Sequence, residues 1–452
     1  MSGIKSAEMK KIHFVGIGGI GMSGIARVML NLGFSVSGSD QAASPITKEL
    51  ERLGAVFYKG HCPENLNSAD TVILSSAISY DNPEVLEAKK RGISILARAD
   101  LLAHIMEMKE GIAVTGAHGK TTTTALISAI LETAGLSPTW INGGVIKRDG
   151  TNARLGSGKY IVAEADESDG SFLKLLAKIV VVTNIDCEHM EYFKDIATMK
   201  KLYLQFINKA DLAILGSDSP KLREIIPEIK TRYILYGEDG ELSCRNIKIS
   251  QDSTEFDLIK DEGFLSNIRL GQIGRHNVQN ALAAISVGQE LGISLEIIKK
   301  ALANFKGIER RLHIQGERNN IMVAEDYGHH PTEIKATLAA AKEAWKRRLI
   351  VVFQPHRYTR TRDLMDEFAT SFSDADILIL TPIYPASEPP IPNISSERLA
   401  EAIRPCHKNL YLANQKEELV SMIKDKAMPG DAILLLGAGD INRLAEQILD
   451  SL

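Results

Sequence analysis

The sequence predicts an α/β protein of three domains, and three observations carry that prediction. Short apolar runs alternate with amphipathic helical patterns along most of the chain. Two glycine-rich loops, Gly16-Ile-Gly-Gly-Ile-Gly21 and Gly116-Ala-His-Gly-Lys-Thr121, each lie between a strand-like run and a helix-like one. The length, 452 residues, exceeds what one ordinary core supports.

The first domain, residues 1–108, has strands at 12–15 and 35–39 around a helix at 22–32, and later strands near Val72 and Ile93. This is the pattern of a doubly wound, Rossmann-like sheet. The second domain, 109–307, has strands at 112–115, 160–163 and 179–183 and helices at 122–134 and 199–208. Alternating runs such as Thr254-Glu-Phe-Asp-Leu-Ile259 predict an antiparallel patch, followed by a helix at 276–291. With the second glycine loop between its first strand and first helix, the second domain is predicted to be a P-loop ATPase-type α/β unit. The third domain, 308–452, has strands at 349–353, 377–380 and 432–436, again Rossmann-like, with a proline-rich surface loop at 384–392.

Composition narrows the function classes. At 44% hydrophobic and 24% charged residues the chain can fill several cores. A net charge of -4 and the lack of a basic block argue against nucleic acid. The apolar stretch after Lys10 and Lys11 is broken by glycines, unlike a signal peptide, and no segment approaches transmembrane length, so no membrane partner is expected. Cys62, Cys187, Cys244 and Cys406 form no CxxC pair, which predicts a reducing, cytoplasmic setting.

In a βα turn, G-x-G-x-x-G spacing permits a tight turn and close approach of a pyrophosphate, which sits on the helix N-terminus. Asp40 ends the next strand, where an acidic residue would take a ribose hydroxyl. Read literally the motif binds NAD, although the residues alone leave the nucleotide open. In the second loop, Lys120 and Thr121 open a helix, as in sites where backbone N–H groups cradle phosphates, lysine meets the β and γ phosphates and the hydroxyl takes Mg2+. Strict Walker A spacing asks for glycine where this chain has Val114, so the loop is a shortened form. A threonine-rich helix cap would leave Lys120 without a role, and ATP is the preferred reading.

Glu164-Ala-Asp-Glu-Ser-Asp169 and Thr183-Asn-Ile-Asp-Cys-Glu-His189 each follow an apolar strand, which converges their carboxylates and His189 on the sheet edge beside Lys120. Oxygen ligands there suit Mg2+. Gly274-Arg-His-Asn-Val-Gln-Asn280 sets Asn277 and Asn280 on one helix face, for nucleotide contacts or, at Asn277, for capping. Glu309-Arg-Arg311 falls at a domain junction, and Glu325-Asp-Tyr-Gly-His-His-Pro331 leads from a strand into a helix. The arginines of His356-Arg-Tyr-Thr-Arg-Thr-Arg362 either clamp a carboxylate or phosphate or form a solvated basic turn.

Together with Gly16 to Gly24, Phe172-Leu173, Thr332-Glu333 and Gln354-Pro355, these ordered motifs resemble the Mur ligases of bacterial cell-wall synthesis, nearest to the members that add L-alanine. The resemblance implies that the first domain holds a UDP-linked sugar instead of NAD, through Gly16, Gly18, Gly19, Ile20, Gly21, Asp40, His61, Ser75 and Arg98. It implies ATP at Gly116, Ala117, His118, Gly119, Lys120, Thr121 and Thr122, with Asn277, Asn280, Arg311 and Asp326 nearby. Thr121, Glu164 and His189 would ligate Mg2+, with Mn2+ as a substitute, and Tyr327, His329, Arg357 and Arg360 would hold L-alanine. The expected reaction is ATP-dependent ligation of L-alanine to the lactyl carboxylate of UDP-N-acetylmuramate through an acyl phosphate, with Lys120, Glu164, His189 and His329 as the catalytic set and His189 or His329 as the base. A monomer or homodimer is expected. Ala117, Glu188 and Leu312 stand where the family usually has threonine, aspartate and an aromatic residue. Competing readings are an NAD-dependent oxidoreductase, a non-catalytic nucleotide switch, and the family's recycling enzyme that adds a whole tripeptide.

Overall fold

In each of three sheets the parallel strands end nearly level, and the loops that leave this edge carry the polar motifs. The computed structural model describes residues 9–452. The first sheet has five strands in the order Val56–Lys59, Ser35–Asp40, Lys11–Val15, Thr71–Leu74, Ser94–Ala97, all parallel. Val15 pairs with both Ser39 and Leu74, so Gly16, Asp40 and Ser75 emerge side by side.

The central sheet has ten strands. Its middle is parallel, with Glu110–Thr115 between Tyr160–Glu164 and Ile179–Val182. Thr115 pairs with Val182 and Val114 with Glu164, which brings the lysine loop, Glu164 and Thr183 to one edge. At one end lies the expected antiparallel patch. Strands Thr254–Lys260 and Gly263–Leu270 are joined through Asp261 and Glu262, both at positive φ, as a tight two-residue hairpin requires. At the other end Thr139–Ile146 pairs antiparallel with Thr151–Arg154, a hairpin the sequence did not predict. Gly143 and Gly144 lie inside its first strand, and glycine seldom sits inside a strand without a reason. The reason here is close approach, since Gly143 N–H donates to Glu164 Oε2 at 2.8 Å.

The third sheet has six strands, parallel except for the edge strand His313–Arg318. In Leu349–Phe353, residues 349, 351 and 353 enter one apolar cluster and 350 and 352 the other; Ala432–Leu436 alternates likewise. A parallel sheet buried on both faces needs such continuous apolar runs. Each fully buried side chain of this size contributes about 1.5–3 kcal/mol. Asp326 pairs with Leu436 and Phe353 with Leu380, so the 327–331 and 354–362 motifs leave one edge.

By internal contacts the chain divides into two compact units. One runs to Cys244 and adds Leu258–Ser266 and Gln279–Phe305; the other comprises Arg245–Asp257, Asn267–Val278 and Lys306–Leu452. Within the first unit, helix Ile20–Asn31 packs on the 139–154 hairpin, where Asn152 donates to the Ile20 carbonyl and to Ser23 Oγ. A β-carbon on Gly24 would stand 3.3 Å from Ala153 Cβ. Among the described residues no helix is long and apolar enough to cross a membrane.

Candidate active site

The first glycine loop folds over its neighbouring strand, with Gly16 and Ile17 N–H donating to the Ser39 carbonyl at 2.9 and 3.0 Å. Asp40 accepts from Gly18 N–H at 2.9 Å and from Gln41 N–H at 2.8 Å, so this carboxylate braces the loop, and a ribose hydroxyl would have to share it. Gly19 caps helix Ile20–Asn31, and Ser75 Cβ stands 3.2 Å from where a β-carbon on Gly16 would lie. His61 Nδ1 lies 2.9 Å from Ser39 Oγ and 3.2 Å from Glu84 Oε2. Glu84 is fully buried and also receives Asn65. Burial works to raise its pKa, but bonds from His13, Ser39 and Asn65 hold it below the usual range. Arg98 reaches the same loop, with Cδ and Nη1 3.3 Å from the place of a β-carbon on Gly21. All nine residues expected at the UDP-sugar site therefore gather around one sheet edge.

The lysine loop is latched from the next strand. Thr183 Oγ1 donates to the carbonyls of His118 at 2.6 Å and Thr115 at 3.2 Å, and Asn184 Oδ1 accepts His118 N–H at 2.9 Å. Gly116 has φ +126°, a conformation open to glycine alone, and a β-carbon there would overlap Thr183 Oγ1. Gly119 caps helix Lys120–Thr133, whose buried first turn holds Thr121 and Thr122, and Thr123 Oγ1 donates to Asn280 Oδ1 at 3.2 Å.

Lys120 Nζ donates to Glu167 Oε1 at 2.8 Å and to the Gly116 and Ala117 carbonyls at 2.6 and 3.1 Å. Burial would lower its pKa, but Glu167, Glu164 and Glu188 outweigh burial and hold it above its usual value. Burial also drives Glu167 up to about 7 against the pull of Lys120. His118 Nε2 lies 3.2 Å from Asp186 Oδ2, and that bond, opposed by burial, keeps Asp186 well below the usual carboxylate range.

Of the expected metal ligands, Glu164 faces Gly143, Thr121 lies in the first turn of the helix, and His189 sits with Glu167 and Glu188. Ligand atoms of Glu167, Glu188 and His189 lie within 4.8 Å of one another. Glu167 Oε2 is buried without a hydrogen-bond partner. Two carboxylates and an imidazole, one carboxylate oxygen being orphaned, fit a hard divalent cation. In the sequence Glu167 is one member of an acidic cluster, which is its only local signal; its burial against Lys120 is tertiary.

The second unit carries its own cluster. Tyr327 lies under two guanidinium groups, with Arg310 Cζ 4.8 Å and Arg311 Cζ 5.3 Å from its ring centre. Asp326 is buried and accepts Leu312 N–H, Gly328 N–H and Thr337 Oγ1; burial raises its pKa. Asn277 Nδ2 donates to the Ile273 carbonyl at 2.8 Å, a bond back to the chain before the helix and not a cap. His329 Nδ1 lies 3.1 Å from the Tyr327 carbonyl, and the His329 ring lies 5.9 Å from that of His356. Arg360 Nη1 donates to His356 Nδ1 at 3.1 Å, and Arg357, at φ +71°, donates its N–H to the Tyr384 carbonyl at 2.9 Å. The basic turn is thus packed around aromatic rings, and the unexpected member is His356, stacked on Tyr384 at 5.6 Å.

Burial lowers His356 from its ordinary 6.5 to about 3, aided by His329 and Arg360, and lowers His276 to about 4, aided by Arg311. Both folded values are depressed, so the unfolded chain binds more protons below about pH 6.5 and stability falls on acidification through that window. Urea midpoints should drop between about pH 7 and about pH 5, and His356→Phe should flatten that slope. An unchanged slope would rule out His356 as a contributor.

The chain matches known proteins along most of its length. Residues 11–110 match the Mur ligase family catalytic domain, 114–288 the Mur ligase middle domain, and 310–439 the Mur ligase glutamate ligase domain. The chain is 48% identical over 445 residues to the UDP-N-acetylmuramate–L-alanine ligase of Anaeromyxobacter sp. strain Fw109-5, covering 97% of each chain. The chain belongs to the Mur ligase family. Among solved structures, the UDP-N-acetylmuramate-alanine ligase MurC of Thermotoga maritima superposes with a TM-score of 0.86 at 29% identity, over 98% of each chain. A murein peptide ligase from Psychrobacter arcticus reaches 0.73 at 23% identity over 98% of each chain, a likeness of fold alone. The three α/β sheets, with antiparallel strands in the central one, are the Mur ligase architecture.

Proposed function

We propose that this chain is an ATP-dependent ligase that joins L-alanine to the lactyl carboxylate of UDP-N-acetylmuramate in peptidoglycan precursor synthesis. The observation that carries the reading is one unit holding two phosphate-type glycine loops, the second with Lys120 held among carboxylates, in a chain closely similar to alanine-adding Mur ligases. The domains divide at about residues 108 and 307, in line with the matched segments. The first glycine loop takes the UDP diphosphate, with Asp40, His61, Ser75 and Arg98 around it. The lysine loop takes ATP.

The lactyl carboxylate oxygen attacks the γ-phosphorus, the bond to the ADP oxygen breaks, and an acyl phosphate forms. The L-alanine amine then attacks the acyl carbon, a C–N bond forms, and phosphate leaves with the C–O electron pair. Lys120 and the loop N–H groups act by positioning and by balancing charge on the transferring group. Glu164, Glu167, Glu188 and His189 are the residues that would hold Mg2+ with Thr121; the cation, when bound, neutralises phosphate charge. Arg357, Arg360 and Tyr327 hold the amino acid, and His189 or His329 accepts the ammonium proton.

The test is phosphate release from Mg-ATP with UDP-N-acetylmuramate, comparing L-alanine, the L-alanyl tripeptide and no amine, with products identified by mass. Amide formation with free L-alanine is expected. Activity with the tripeptide only would make this a recycling enzyme, and ATP turnover without amide would overturn the ligase reading.

A further inference from the structure

Arg98 divides its guanidinium between two loops of the first unit. Nη1 faces the start of the first glycine loop's helix, 3.3 Å from where a β-carbon on Gly21 would stand, and Nη2 donates to Asp166 Oδ2 at 3.3 Å. A β-carbon at position 21 would crowd this approach and push the Arg98 side chain aside. Asp166 belongs to a closed turn, in which Asp166 Oδ1 accepts Ser168 N–H at 3.0 Å, the Asp166 carbonyl accepts Phe172 N–H at 3.2 Å and the Glu167 carbonyl accepts Gly170 N–H at 3.0 Å. The next residue, Glu167, holds Lys120 at 2.8 Å. A second ion pair, Lys174 to Asp100 at 2.6 Å, ties the end of that turn to the helix that begins with Arg98.

We propose that Arg98 and Asp166 couple the two ligand sites, so that a diphosphate on the first glycine loop and a nucleotide on the lysine loop strengthen each other's binding. The proposal rests on the functional reading above. A guanidinium has donors enough for a phosphate on one edge and a carboxylate on the other. Phosphate oxygens arriving at Gly16 to Gly21 fix Arg98 from one side, and Arg98 then fixes Asp166, the turn and Glu167. With the turn held, Lys120 and the acidic cluster meet the nucleotide without first being ordered. Asp166 touches neither ligand and acts as a positioning residue. Coupling in binding is reciprocal, so the nucleotide must raise affinity for the UDP-sugar by the same factor.

The experiment is calorimetric titration of the full chain with Mg2+ and adenylyl imidodiphosphate, with and without saturating UDP-N-acetylmuramate, and the reverse titration. In the wild type each ligand should tighten the other at least about five-fold, the low end of ordinary site coupling. In D166N the enhancement should vanish while UDP-N-acetylmuramate alone binds within about two-fold of wild type, because Arg98 remains. R98K, which keeps the charge but not the fork, should lose both the coupling and part of the UDP-sugar affinity. Independent binding of the two ligands by the wild type overturns the coupling and leaves the ligase reading intact, as does full enhancement in D166N. A wild type that binds the nucleotide but not UDP-N-acetylmuramate overturns the reading and the coupling together.

Discussion

Lys120→Ala should lower amide formation by at least about a thousand-fold while leaving UDP-N-acetylmuramate affinity within about two-fold of wild type, since lost charge stabilisation on a transferring phosphoryl group has effects of that order. The ammonium is a part-buried cation among Glu167, Glu164 and Glu188. Its removal withdraws positive charge where phosphate charge develops and leaves three carboxylates facing an anionic ligand. The fold should tolerate the change better than a broken buried pair usually does. Such a break typically destabilises by about 3–5 kcal/mol, but burial already holds Glu167 at about 7, so it takes up a proton readily. Phosphate release and a thermal melt at neutral pH test the two halves, and retained ligase activity would remove Lys120 from the mechanism.

Gly116→Ala should be nearly as damaging by a different route. Backbone at φ +126° strains any residue with a β-carbon, by about 1–3 kcal/mol, and the new methyl would overlap Thr183 Oγ1. That hydroxyl has no easy retreat, because it donates to the Thr115 and His118 carbonyls. The loop would have to open, displacing the helix start that carries Lys120, with an expected loss of nucleotide affinity of at least about a hundred-fold from roughly 3 kcal/mol of strain and lost contacts. Calorimetry with Mg-ADP measures it. UDP-N-acetylmuramate binding should persist, since the first loop is built on other strands. Near-normal nucleotide affinity would mean that the loop is softer than its hydrogen bonds imply.

The framework was legible because its signals are local. Strands such as 349–353 and 432–436 are buried on both faces and must be apolar at every position, and a glycine loop with polar helix start announces itself by spacing. The hairpin at 139–154 was missed because its glycines serve Glu164, a neighbour in space only. Asp40 shows what motif reading leaves out. The spacing puts it near a ribose, and the fold adds that its oxygens also receive Gly18 and Gln41 N–H. Glu167 and Asp166 stood in a cluster whose members sequence could not rank, because burial against Lys120 and Arg98 decides what each does.

The packing of helix Ile20–Asn31 on the 139–154 hairpin bears on how such chains can be shuffled. The segments lie far apart in the gene, yet Gly24 fits against Ala153, and Asn152 is spent on the helix that carries the first loop. A crossover between relatives near residue 110 would set one parent's helix on the other's hairpin, and a larger side chain at either contact would prise them apart. Functional chimaeras are therefore expected to inherit residues 20–31 and 139–154 from the same parent, as one block written in two places.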